Sequence, residues 1–107
     1  MITWTPYLEA VKDDKKIGKV ELPEKTSSVL PRVGEVVIFS GLESLTDIGL
    51  IHYETGTLRV TDVHHSIGED GTDHIGVYID VRASYDAQKT TAKASEWGIE
   101  EWIPYNI

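Results

Sequence analysis

The chain of 107 residues has no cysteine, one methionine, one phenylalanine and four prolines, and its 10 basic side chains are outnumbered by 18 acids. Without cysteine there can be no disulfide framework, no thiolate metal centre and no cysteine nucleophile. No stretch approaches the ~20 apolar residues of a membrane helix. The opening MITWTPYLEA lacks the basic-then-apolar plan of a secretory leader. The expectation is a soluble cytoplasmic protein with no membrane partner. The length allows one domain, which at this size buries roughly two-thirds of the surface its unfolded chain exposes and needs no cross-links. A net charge of −8 repels nucleic-acid phosphate and directs attention to a protein or cationic partner.

The acidity is uneven. Residues 1–30 balance five lysines against five acids, whereas residues 31–84 set Arg32, Arg59 and Arg82 against nine acids. Residues 85–107 add two lysines and four acids. The surplus therefore belongs to the middle of the chain, where every base is an arginine, the better fixed partner for carboxylates.

From Pro31 onward short runs rich in β-branched and aromatic residues, bounded by Gly, Asp and Ser, predict strands at 33–39, 56–63 and 74–81. The polar stretch from Gly68 to Asp73 has the composition of a longer hairpin loop. Ile75, Val77, Ile79 and Val81 alternate with His74, Gly76, Tyr78, Asp80 and Arg82, marking one buried face. A register with Ile67 opposite Ile75 keeps the apolar set together and places Val63 opposite Ile79, His64 opposite Tyr78 and Asp62 opposite Asp80. Val60 and Leu58 are apolar on the second face, which suggests a strand covered on both sides, as in a barrel or sandwich.

Toward the N-terminus, Trp4 to Val11 and Ile17 to Leu22 read as a hairpin joined by the charged turn at residues 12–16. A helix capped by Thr5 with Pro6 in its first turn is the alternative. Residues 23–31 are a linker bracketed by prolines, and 41–55 read as a long ordered loop or a short helix plus a strand. Residues 84–95 permit a helix from about Asp86. The final eleven residues are too aromatic for a frayed end. The single domain thus divides into an N-terminal hairpin and linker (1–30), a core (31–83) and a C-terminal extension (84–107).

The order ProArgValGlyGluValVal, ThrLeuArgValThrAspValHisHis and HisIleGlyValTyrIleAspVal resembles small SH3-like β-barrel proteins of phages and other bacterial mobile elements, over roughly residues 17–83. In that resemblance Val33, Gly34 and Glu35 turn the chain into the first barrel strand. It implies a mainly β fold, a small SH3-like barrel or β-roll, from which the insertion at 41–55 and the tail at 84–107 depart; the residue pattern adds the N-terminal hairpin and a C-terminal extension containing a short helix. It also implies a binding scaffold in a bacterial or phage-infected cell.

Three of the four histidines lie at the central hairpin. In the register above, Asp62, His64 and Asp80 converge beside Tyr78, a conceivable cation or acid–base site, though these supply too few ligands for a metal centre. No nucleophile elbow, phosphate-cradling loop or EF-hand loop is present, so neither enzyme activity nor a cofactor is expected. The lysines at 12, 15, 16, 19 and 25, with Trp4 and Tyr7, raise nucleic acid as an alternative partner, opposed by the net charge. Trp97, Trp102 and Tyr105, flanked by Glu100 and Glu101, either fold back onto the core or anchor a partner or a homodimer. These readings converge on a non-enzymatic mobile-element accessory protein, such as a counter-defence or anti-CRISPR inhibitor, whose acidic face occupies a basic protein surface. Its expected contact residues are Asp62, Glu69, Asp70, Asp73, Asp80, Trp97, Glu100, Glu101, Trp102 and Tyr105. A structural component of a phage particle is the remaining alternative.

Overall fold

Opposed apolar and polar alternation along two long segments builds the centre of a mixed sheet. The computed structural model describes residues 1–39, 41–47, 49–54 and 56–105. Strand β1 (Ile2–Lys12) turns at Asp13 and Asp14 into β2 (Lys15–Glu21), followed by the short β3 (Lys25–Ser27). A short helix α1 (Glu43–Asp47) leads to β4 (Ile51–His52), β5 (Val60–Ile67) and β6 (Asp73–Ala83). Helix α2 (Ala87–Glu96) and β7 (Trp102–Pro104) complete the chain. The strands form one sheet in the order β4-β6-β1-β2-β7, with β3 added to β1 and β5 to β6.

The fold is mainly β, with the N-terminal hairpin and C-terminal helix that the residue pattern predicts, but the sheet is open rather than closed into a barrel. At its centre β1 pairs with β6 in parallel, which sets Leu8 beside Ile79. Segment 33–39 does not form a ladder. Among the described residues it makes the bridge Val36 to Arg59, flanking backbone bonds to residues 58 and 60, and a turn bond from the Glu35 N–H to the Arg32 carbonyl. The strand predicted at 56–63 begins at Val60 and runs on to Ile67, and β3 lies inside the predicted linker.

The β1–β2 hairpin turns with both Asp13 and Asp14 at positive φ, 51° and 64°. That is the backbone of a type I′ turn, whose twist matches that of the flanking strands, and Asp tolerates it. Pro6 lies inside the central strand without breaking it. Its carbonyl accepts a bond from the Leu22 N–H, so its nitrogen faces the side where the chain passes from β2 to β3, and no bond to β6 is lost.

One face of the sheet carries Leu8, Ala10, Val20, Val77, Ile79 and Val81, all buried. It is covered by Leu42, Leu45, Leu50 and Leu58 from the 41–58 region and by Thr90 and Ala94 of α2. Asp86 caps α2 by accepting from the Lys89 N–H at 2.8 Å. Trp102 completes this layer with its indole N–H donating to Thr91 Oγ1 at 3.0 Å. Among the described residues no helix is long and apolar enough to cross a membrane.

Candidate functional site

Among the described residues no helix covers the second face of the sheet, and the pairings define its side-chain lattice. Lys16, Val11, Arg82 and His52 form one row across β2, β1, β6 and β4. Lys19, Glu9 and Asp80 form the next, and Glu21, Tyr7, Tyr78 and Asp62 the third. Thr5, Gly76 and His64 follow.

At the centre the Tyr7 and Tyr78 rings stack with centroids 5.0 Å apart and planes 18° from parallel. The His64 ring lies 4.5 Å from Tyr78 on the far side. Gly76 makes this stack possible, because a Cβ there would meet both tyrosine rings at 3.0 Å. The Lys19 ammonium sits over the pair, 4.5 Å from the Tyr7 centroid and 5.4 Å from that of Tyr78, within cation–π range.

Polar contacts tie the layer together. The Tyr7 hydroxyl donates to Glu21 Oε1 at 3.2 Å and lies 3.0 Å from His74 Nε2. Glu9, only 6% exposed, accepts from the Lys16 ammonium at 3.1 Å and from the Tyr105 hydroxyl at 2.7 Å. His64 Nε2 is 2.7 Å from Asp62 Oδ2. Burial, reinforced by Glu21, pushes the Tyr7 phenol up to about 12, and burial with Glu9 raises that of Tyr105. The hydrogen bond to Glu9 raises Lys16, that from His64 lowers Asp62, and desolvation raises Asp80.

A phenol raised on folding contributes stability that is complete below its unfolded pKa and disappears as pH rises through the folded value. For Tyr7 that window runs from 10 to about 12, and the contribution is of order 2 kcal/mol. Denaturant titrations from mildly to strongly alkaline pH are expected to show a steeper loss of stability in the native chain than in Tyr7→Phe. Equal slopes in the two would contradict the assignment.

The residues expected from sequence to bind a partner fall into separate groups. Asp62 and Asp80 share the open face, although they do not face each other. Asp62 stands opposite Tyr78 and His64 opposite Gly76, because the β5–β6 register is displaced by two residues from the predicted one and bulges between Val60 and Asp62. The displacement keeps residues 62–67 on their predicted faces but separates Asp80 from the Asp62–His64 pair, so the proposed convergence of the three is not formed. Beyond the bulge Val60 is turned to the opposite face from the one expected, opposite Ile79 and buried with Leu58 in the core. Asp80 instead lies beside Glu9 of β1. Glu69, Asp70 and Asp73 are exposed at the hairpin tip, where Asp70 accepts from the N–H and hydroxyl of Thr72.

In the C-terminal segment, Trp102 is buried on the opposite face and cannot serve as an exposed anchor, which corrects its expected role. The cause is Gly18, whose bare backbone accepts the indole. Tyr105 is half-buried against Glu9, Glu100 and Glu101 are largely exposed, and Trp97 stands 60% exposed at the end of α2. The sequence by itself does not mark Tyr7, Glu9, Lys19 and Glu21 as neighbours of the hairpin acids. The polar alternation Thr5, Tyr7, Glu9 was the available signal, but only the parallel β1–β6 pairing makes it meaningful.

No family model, curated protein or solved structure matches the chain.

Proposed function

We propose that this protein is a non-enzymatic protein-binding module whose open sheet face docks on a basic surface of its partner. The carrying observation is Lys19, whose ammonium rests over the stacked Tyr7 and Tyr78 rings. A face that holds one cation over aromatic rings, with Glu21, Asp62 and Asp80 around it, suits the lysine and arginine side chains of a partner. Among the described residues, Asp80, Glu69, Asp70, Asp73, Glu100 and Glu101 form no ion pair, which leaves their charge for a partner. In its most concrete form the target is a nucleic-acid-binding protein whose phosphate-binding surface these acids occupy, as a counter-defence inhibitor from a mobile element would.

Stacked aromatics beside a lysine are also the equipment of single-strand binders. The carboxylates of Glu9, Glu21, Asp62 and Asp80 around the stack oppose phosphate and favour the protein partner. The test compares retention of basic proteins from a bacterial lysate by the native chain and by Asp62→Lys/Asp80→Lys. Retention is expected to weaken by about tenfold or more between low and high salt and to be lost in the charge-reversed variant. Equal retention by that variant, or a mobility shift with single-stranded DNA in place of protein capture, would overturn the reading.

A further inference from the structure

The outer edge of β6 changes partner partway along. Pairing with β5 ends at Val60 opposite Ile79, and pairing with β4 takes in His52 opposite Arg82. Between them, beside Asp80 and Val81, lies a cavity of about 630 Å³, a volume in the range of small-molecule sites. Its polar lining is mixed in sign, with the carboxyl groups of Asp80 and Glu54, the guanidinium of Arg82 and the imidazole of His52. Val11 and Leu58 supply apolar wall. Among the described residues none of these Asp, Glu, Arg and His side chains takes part in an ion pair.

The mixture restricts the ligand. A purely cationic molecule would meet Arg82, and a purely anionic one would meet two carboxylates. A molecule carrying both signs beside an apolar group satisfies all of them at once. We propose that this cavity binds a small zwitterion of the amino-acid or short-peptide class, its ammonium against Asp80 and Glu54, its carboxylate against Arg82 and its apolar portion over Val11 and Leu58. The cavity shares Asp80 with the proposed docking face, but its occupant is a small molecule of defined chemistry, so failure of the titration below and failure of protein capture are distinguishable.

The two sources of this chemistry differ in length. A second cavity of about 480 Å³ shares Val11 and Arg82 and extends to Lys12, Asp13 and Asp14 at the β1–β2 turn, which gives a peptide room that a single amino acid does not use.

The experiment follows backbone-amide resonances of the full chain during titration with leucine, trileucine, N-acetyl-leucine and leucinamide. Saturable shifts centred on His52, Glu54, Asp80 and Arg82 are expected with leucine or trileucine, and the tighter of the two identifies the source. Blocking either terminus is expected to weaken binding about tenfold. Asp80→Asn should weaken leucine but not N-acetyl-leucine, and Arg82→Gln should weaken leucine but not leucinamide. Both positions are exposed, and an unchanged thermal midpoint verifies that the variants fold. The proposal is overturned if neither zwitterion gives saturable shifts up to about 10 mM, or if the blocked ligands and the variants bind as tightly as the native pair.

Discussion

Gly18→Ala is expected to destabilise the protein severely, although it adds one methyl group in a strand. Gly18 pairs with Pro104 across the β2–β7 ladder. A Cβ at this position would overlap Trp102 Cη2 and lie 2.5 Å from Trp102 Cζ2 and 2.7 Å from the Ile103 carbonyl oxygen. The indole is itself only 7% exposed and held by Thr91. Because the Ile103 oxygen is backbone, rotation of a side chain cannot relieve the overlap, and β7 must move. Overpacking of this kind costs about 1–3 kcal/mol or more, and Trp102→Ala removes about 3–5 kcal/mol, against a total stability of roughly 5–15 kcal/mol. Combining the two should cost less than their sum, since the indole is the larger part of the overlap while the carbonyl remains. Denaturant unfolding of the two single variants and the double variant measures this. A Gly18→Ala protein as stable as the native one would show that the tail does not pack as described.

The second large effect contrasts two isoleucines of one hairpin. Ile79 is fully buried at the centre of β6, so Ile79→Ala is expected to cost about 2–5 kcal/mol from lost burial and the cavity left behind. Ile67, at the end of β5, is 79% exposed, and Ile67→Ala should lie within about 0.5 kcal/mol of the native protein. Equal shifts in unfolding midpoint for the two would contradict the placement of the hairpin tip outside the core. Sequence alternation alone assigns both residues to the apolar face. Ile67 instead pairs with Asp73 at the ladder's end, beyond the side chains that cover the sheet.

The candidate site was legible in part for the same reason. Asp62, His64, Tyr78 and Asp80 could be assigned to one face from period-two alternation, and that parity holds in the structure. Their partners across the strand could not be assigned, because shifts of two residues preserve parity and the bulge at residues 60–62 alters the count. The Tyr7–Tyr78 stack was beyond reach: those residues are far apart in sequence and meet only through a parallel pairing that no turn joins. Trp102 illustrates the converse. Its aromatic, acid-flanked setting suits an anchor as well as a core plug, and a glycine in a distant strand decided between them.

Local chemistry accounts for the elements themselves. The Asp13–Asp14 turn, the Asp86 cap and the alternation of β6 each follow from short-range sterics and hydrogen bonding, which act within a few residues and are written in their order along the chain. The excess of acid in the middle segment and the exclusion of cysteine chemistry are likewise properties of the sequence alone. The tertiary structure decided that the sheet stays open, that β1 lies parallel to β6, and that one tryptophan of the tail is buried while the other is exposed. Those outcomes depend on which apolar faces cover one another and where a missing side chain leaves room, and such relations exist only once distant segments are packed together.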